Sequence, residues 1–453
     1  MRGAKSFLIL VIVALALGGY YFFVESKREP AGSASTKKDH AFTFELDKVE
    51  EIQVRAAGGD STTLKKTGEK WQITAPEALD ADESEVSTLV STLRSLEIQR
   101  VLDEAPTAVT QFGLEPVRAG VGFRLAGETT MHKLDLGNKT PTGGDLYARV
   151  DGQPRVLLIS SYVEDSLNKT TFALRDKGVL KFARDDVDNV TVEATGTPAI
   201  AFTRKGTDWR LSKPLDAKVD FAAVDGLVGR LHQARMKAIV AADGTKDLKK
   251  YGLEKPEALA TLGVGSTRAT LAIGGKQDDT SLYARDLSRP MVFTVEKTLL
   301  DDLKKKPEDL RKKDLFEFRS FNAVGMDIAI GGQTYTFGKE KAGGKEESSA
   351  VEQWKLQKPS AKDVDQTKMT DLLTTLSNLR ADTFTDKVVT GGETVEITAR
   401  FGDSTKPTSE KITFRKSGTT AHAIVPGDAG AAVVPTSDYD KVLGLIKDLT
   451  GGK

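Results

Sequence analysis

The chain has no cysteine among its 453 residues, which excludes a disulfide framework, thiolate zinc, iron–sulfur ligation and thiol nucleophiles together. Its four histidines, His40, His132, His232 and His422, are widely scattered and leave little material for an imidazole metal site. Neither sign of charge is in excess: 65 Lys and Arg balance 65 Asp and Glu, so no net field draws the protein to nucleic acid or anionic lipid. Phosphate-binding loops are missing as well. Gly263-Val-Gly265 lacks the third glycine of a dinucleotide loop, and Gly274-Gly275-Lys276 is followed by Gln rather than Ser or Thr. There is no Gly-x-Ser-x-Gly elbow. The acidic run Asp80–Glu85 has neither the turn glycine nor the distal glutamate of a calcium loop. These gaps lead to the expectation of no catalytic residues, no metal and no cofactor.

What is present begins with an apolar run. Residues 7–24 carry no charge, and at 1.5 Å per helical residue they span roughly 27 Å, close to the hydrocarbon thickness of a bilayer. The run ends in Tyr20, Tyr21, Phe22 and Phe23. Such bulky aromatics suit the interface belt of a retained helix better than a cleaved signal peptide, whose cut would fall near Ala34. A Pro/Gly/Ser/Ala-rich stretch from Pro30 to Thr36 follows and reads as a tether. Basic residues flank the run on both sides, so charge alone does not orient it. A short N-terminal tail before one anchor places the remainder on the periplasmic side of a bacterial inner membrane.

The strongest signal is internal repetition. The only tryptophans, Trp71, Trp209 and Trp354, each begin W-x-[IL]-x-x-P, ending at Pro76, Pro214 and Pro359. Six residues after each proline stands an aspartate: Asp82, Asp220 and Asp365. An apolar ladder at helical spacing follows in every copy, Val86 to Leu96, Val224 to Ala234 and Met369 to Leu379. The aspartates sit where helix N-caps belong, and Glu85 is placed to complete a capping box in the first copy. Upstream, Phe44, Val49, Ile52 and Val54 match Phe182, Val187, Val190 and Val192, and more loosely Phe318, Ala323, Met326 and Ile328.

Downstream, only the first two copies agree. Phe112-Gly-Leu-Glu-Pro116 matches Tyr251-Gly-Leu-Glu-Lys-Pro256, Leu136-Gly137 matches Ile273-Gly274, and Leu146-Tyr147-Ala-Arg149 matches Leu282-Tyr283-Ala-Arg285. Arg175 and Arg311 each stand 28 residues after the repeat tyrosine. The third copy lacks these signatures, gains a Gly/Lys/Glu/Ser insertion near 342–349 that reads as an exposed loop, and closes on a helix from Ser437 to Leu449.

The expected architecture is α+β: a transmembrane helix, then three tandem modules of mostly antiparallel sheet with one main amphipathic helix each. The boundaries fall at 1–29 for tail and anchor, 30–40 for the tether, and 41–178, 179–315 and 316–453 for the modules. The ordered succession of these motifs, with Leu174-Arg-Asp-Lys177, resembles the bacterial family called domain of unknown function 4340. That resemblance implies a membrane-anchored envelope protein with an ABC-transporter-type partner, and supplies no catalytic residues.

The tryptophans, prolines and aspartates read as a structural signature. Tyr147, Arg149, Arg175, Tyr283, Arg285 and Arg311 are the candidates for ligand or interface contacts, with internal ion pairing as the simpler account of the arginines. Three functions compete, in descending order: a non-catalytic envelope scaffold presenting tandem modules to a protein partner, a glycan- or peptide-binding module, and a carboxylate-based hydrolase.

Overall fold

The computed structural model describes residues 39–151, 153–341, 352–387 and 390–451. The expected anchor at 7–24, the tether as far as residue 38 and the insertion at 342–349 lie outside the described residues. Among the described residues, no helix is long and apolar enough to cross a membrane.

The first repeat lays out the plan. Alternating apolar residues form β1 (Val49–Arg55), β2 (Ser61–Thr67), β3 (Lys70–Ala75) and the short β4 (Leu79–Asp80). Helix α1 (Glu83–Arg94) follows, then β5 (Ile98–Asp103), β6 (Ala119–Leu125), β7 (His132–Lys139), β8 (Asp145–Val150) and β9 (Val156–Ser160). They join as one antiparallel sheet in the order β4-β3-β2-β1-β6-β7-β8-β9-β5. The chain therefore leaves the sheet at one edge, runs through α1, and returns at the opposite edge.

The same order of nine strands recurs twice more, over 189–296 and 323–434. The main helices are Phe221–Gln233 and Gln366–Ser377. The chain divides into two compact units: one ends at Lys177, and the other begins at Gly178 and holds the second and third sheets.

Each helix lays its apolar stripe on one face of its own sheet. Val86, Leu89, Val90 and Leu93 are buried in the first repeat, Val224, Leu227, Val228 and Leu231 in the second, and Met369, Leu372, Leu373 and Leu376 in the third. Each large apolar side chain so removed from water contributes roughly 1.5–3 kcal/mol. The third repeat adds a second long helix, Thr436–Thr450, whose Tyr439, Val442, Ile446 and Leu449 join the same core. The first repeat has only two short helices there, Glu164–Leu167 and Thr171–Leu174.

Candidate functional site

The recurring residues are absorbed by the fold. Trp71, Trp209 and Trp354 are 9%, 7% and 6% exposed, each on the strand that faces the main helix. Two residues beyond each tryptophan lies Ile73, Leu211 or Leu356, and beyond that a bulge: the register slips between Thr63 and Leu64, Ala201 and Phe202, and Thr336 and Phe337. The bulge bends the strand out of the ladder, and the next peptide bond, before Pro76, Pro214 or Pro359, is cis in all three copies.

Asp82 accepts hydrogen bonds from the backbone N–H groups of Ser84 and Glu85, Asp220 from that of Ala223, and Asp365 from those of Thr367 and Lys368. The capping box expected at Glu85 does not form. The Asp82 N–H donates to the Leu174 carbonyl instead, and Glu85 turns to Lys169 at 2.8 Å. The Lys169 ammonium holds the Glu85 carboxyl below its ordinary range.

The tyrosines and arginines of Tyr-Ala-Arg face away from the main helix. Tyr147 packs on Phe112 with ring centroids 4.8 Å apart, and Tyr283 on Tyr251 at 5.1 Å. Phe112 and Tyr251 belong to the Phe/Tyr-Gly-Leu-Glu motif, so that motif is a loop folded over the outer face of the sheet. There it makes a small second core, Val109, Leu114 and Val156 in the first repeat and Tyr251, Leu253, Ala272 and Val292 in the second.

The glycine of Leu/Ile-Gly is what admits the loop. A Cβ on Gly137 would stand 2.1 Å from the Phe112 carbonyl oxygen, and one on Gly274 would stand 2.3 Å from that of Tyr251. This four-part cover was not foreseen from the sequence, although the joint loss of its motifs in the third copy is the signal that reveals it. Arg149 pairs with Asp135 at 2.8 Å, and Arg285 donates to the Arg289 carbonyl at 2.9 Å.

Arg175 and Arg311 lie elsewhere. Arg175 bridges to Ala81 beside β4, and β4 is six strands from β8, roughly 29 Å along the sheet at about 4.8 Å per strand. The first repeat's candidates therefore do not gather into one site. Arg311 bridges to Val219 in the equivalent place and is 4% exposed. There it meets the third repeat, its guanidinium 4.0 Å from the centroid of Phe384 and an Nη2 donating to the Ala429 carbonyl at 3.3 Å.

Around Arg311 the loop between Ile424 and Ala431 holds the edge of the second sheet. Asp428 accepts from the Lys218 N–H and from Arg210, and the Ala429 N–H donates to the Asp216 carbonyl at 2.7 Å. Burial lowers the affinity of Arg311 for its proton, opposed by the charges of Asp428, Asp386 and Glu308. A cation so enclosed, stacked on a ring and facing acids, belongs to an interface.

A third feature lies on the outer face of the first sheet. Gly120 and Gly122 floor a shallow groove flanked by Arg55, Thr63, Lys133 and Asp135.

Poised acid–base chemistry leaves a different mark. Burial tends to raise Glu51 and Glu164, but hydrogen bonds from Arg124 and from Arg118 and Lys139 outweigh it and both carboxyls end below their ordinary range. Glu317 is lowered by Lys312. These are ion-paired carboxylates, the opposite of an acid held neutral for proton donation. Among the described residues, no cluster of three or more His, Asp or Glu could hold a metal ion.

No curated protein and no solved structure matches the chain. The sequence model of one family, Domain of unknown function (DUF4340), matches twice, over residues 71–210 and 209–397. Each match starts at or beside a repeat tryptophan and closes on strands of the following sheet, so the family's unit is offset from the folded one. With both matches laid end to end over most of its length, the chain belongs to the family Domain of unknown function (DUF4340).

Proposed function

We propose that the protein is a non-catalytic scaffold of the bacterial envelope, held in the inner membrane by one span at residues 7–24. Its three repeats project on the periplasmic side toward a protein partner such as a transporter-type assembly. The observation that carries this reading is the structural use of everything that recurs: tryptophan, cis proline, capping aspartate and tyrosine all serve the fold. Nothing repeated is left over for chemistry. What varies between repeats is the outer face and the edges, where partners are selected. The lowered carboxylates and the neutral overall charge agree with a binding role that is not steered by a strong field. Affinity isolation of the full chain from solubilised membranes should recover an integral membrane partner repeatedly, and recovery of the chain alone would overturn the proposal.

A second reading rests on the groove over Gly120 and Gly122. Glycine backbone with Met131 packed beside Gly122 and hydrogen-bonding side chains around it suits a flat polar ligand such as a glycan strand. Retention of the chain on peptidoglycan, lost in Gly122→Trp, would favour that reading over the scaffold.

A further inference from the structure

The three sheets differ in what lies on the middle of the outer face. In the first, strand pairing sets Arg55 opposite Gly120 and Lys133 opposite Gly122. The matching pairs put Glu193, Leu259, Thr270 and Thr261 in those places in the second repeat, and Ala329, Glu396, Lys411 and Thr398 in the third. The second repeat closes the strip: Leu259 packs against the small outer core, and Thr261 and Thr270 share a hydrogen bond at 3.0 Å. In the third, Lys411 is paired with Glu396. The first repeat alone keeps the strip open and basic.

Neither glycine is demanded by the backbone, since both lie inside β6 and neither has a positive φ. A Cβ on Gly122 would come nearest to Met131, 3.0 Å from its Cγ, and one on Gly120 would stand 3.3 Å from the Leu134 carbonyl oxygen. Glycine weakens the interior of a strand, and its use there marks a place where something approaches the backbone closely. The charges around it are uneven. Arg55 and Lys133 are exposed, and Arg55 is held in place by donating to the Val117 carbonyl. Among the described residues neither cation has an acid within ion-pairing distance, while Asp135 is taken by Arg149 at 2.8 Å.

We infer that this strip binds a glycan chain that bears carboxylates, lying over Gly120 and Gly122 with its acid groups toward Arg55 and Lys133. The guanidinium of Arg55 offers a fork that matches a carboxylate, and Lys133 supplies a second cation as a point charge. Ser61 and Thr63 line the same groove and can both donate to and accept from sugar hydroxyls. An acidic peptide is the poorer occupant. Strand β6 is bonded on both sides, to β1 and to β7, so no sheet edge is open here for a peptide backbone to join. Recognition is left to side chains, and hydroxyls beside cations complement an acidic sugar.

The inference rests on the groove reading above and adds the charge of the ligand and the residues that read it. Its test is calorimetric titration of the full chain in detergent micelles with oligogalacturonate at low salt, beside the methyl-esterified oligomer and a polyglutamate of equal charge. The expected result is saturable binding of the acidic oligosaccharide alone, weakened by added salt. Affinity should fall at least about tenfold in Arg55→Glu/Lys133→Thr, as the loss of two exposed charge pairs requires. Both substitutions, and Gly120→Leu, bring in residues that the second repeat carries at the same places, and an unchanged urea midpoint checks that the fold is kept. Gly120→Leu should block binding with both cations in place, and the control Lys411→Thr should leave the affinity unchanged. Equal binding of the esterified oligomer overturns the role of charge, and equal binding of polyglutamate overturns the glycan. Affinity indifferent to the double substitution, or no binding of any of the three, overturns the assignment of the strip. The groove reading is decided separately, by retention on peptidoglycan and its loss in Gly122→Trp.

Discussion

The second and third repeats share a sheet order and a helix-side core, yet their outer faces are built differently. In the second, the strand Thr267–Lys276 slips register against Ser281–Asp286 after Ile273, at Gly274 and Gly275, and Tyr251 lies over that slip. In the third, the equivalent pair of strands runs without a slip, Phe414 opposite Ala423 and Arg415 opposite His422. Arg415 thus occupies the place of Gly274, and His422 the place of Tyr283. The connection that carries the loop shrinks from residues 242–257 to 386–392. Loop, glycine, register slip and tyrosine are one device. With an arginine at the glycine position the loop has no room, and without the loop the tyrosine has nothing to cover. The helix-side signature cannot be dropped in this way, because removing any part exposes the core.

The difference can be broken from either side. The largest effect is expected at the shared core: Trp71→Ala, Trp209→Ala and Trp354→Ala should each cost about 3–5 kcal/mol, the usual price of emptying a buried indole site. Urea unfolding followed in full-length variants would check this, and a repeat that tolerates the change would not share the common core. Next, Gly274→Arg should import the third repeat's outer face into the second. A side chain forced against the Tyr251 carbonyl costs about 1–3 kcal/mol. Hydrogen exchange should quicken over residues 242–257 while the helix Phe221–Gln233 keeps its protection; equal loss in both would show that the cover and the core are not separable.

Smaller effects come from the caps. Asp82→Ala, Asp220→Ala and Asp365→Ala should each destabilise by about 0.5–2 kcal/mol, read as a shift in the midpoint of the affected repeat. Smallest is the acid response. Glu164 carries a lowered pKa and is bound by Arg118 and Lys139. A carboxyl depressed by folding stabilises above its unfolded value, near 4.3, and loses that contribution as pH falls through the lower folded value. Glu164→Gln should therefore flatten the acid limb of the stability profile below about pH 4.5, without changing its neutral plateau's dependence on pH.

The helix-side half of each repeat was legible because its determinants are local. Tryptophan, proline and aspartate keep fixed spacings, and the ladder after them repeats at 3.6 residues. The positions aligned only loosely in the third copy, Phe318, Ala323, Met326 and Ile328, are all fully buried, so even a weakened pattern carried the strand faces. What escaped depends on residues distant in sequence. The capping box at Glu85 was read from local spacing, but the Asp82 N–H finds Leu174, and Lys169 draws the glutamate away. The outer cover joins Phe112 to Gly137 and Tyr147 across strands. Arg311 has its ring partner at Phe384 and its carbonyl partner at Ala429, contacts that no spacing rule connects.

The recurring side chains are enclosed by the fold in which they repeat. Full-length variants that keep one tryptophan, with phenylalanine at the other two positions, allow each indole to be measured alone. Collisional quenching by acrylamide should be weak and emission blue-shifted for Trp71, Trp209 and Trp354 alike, as their burial requires. Water-like emission with free quenching at any one of them would contradict it.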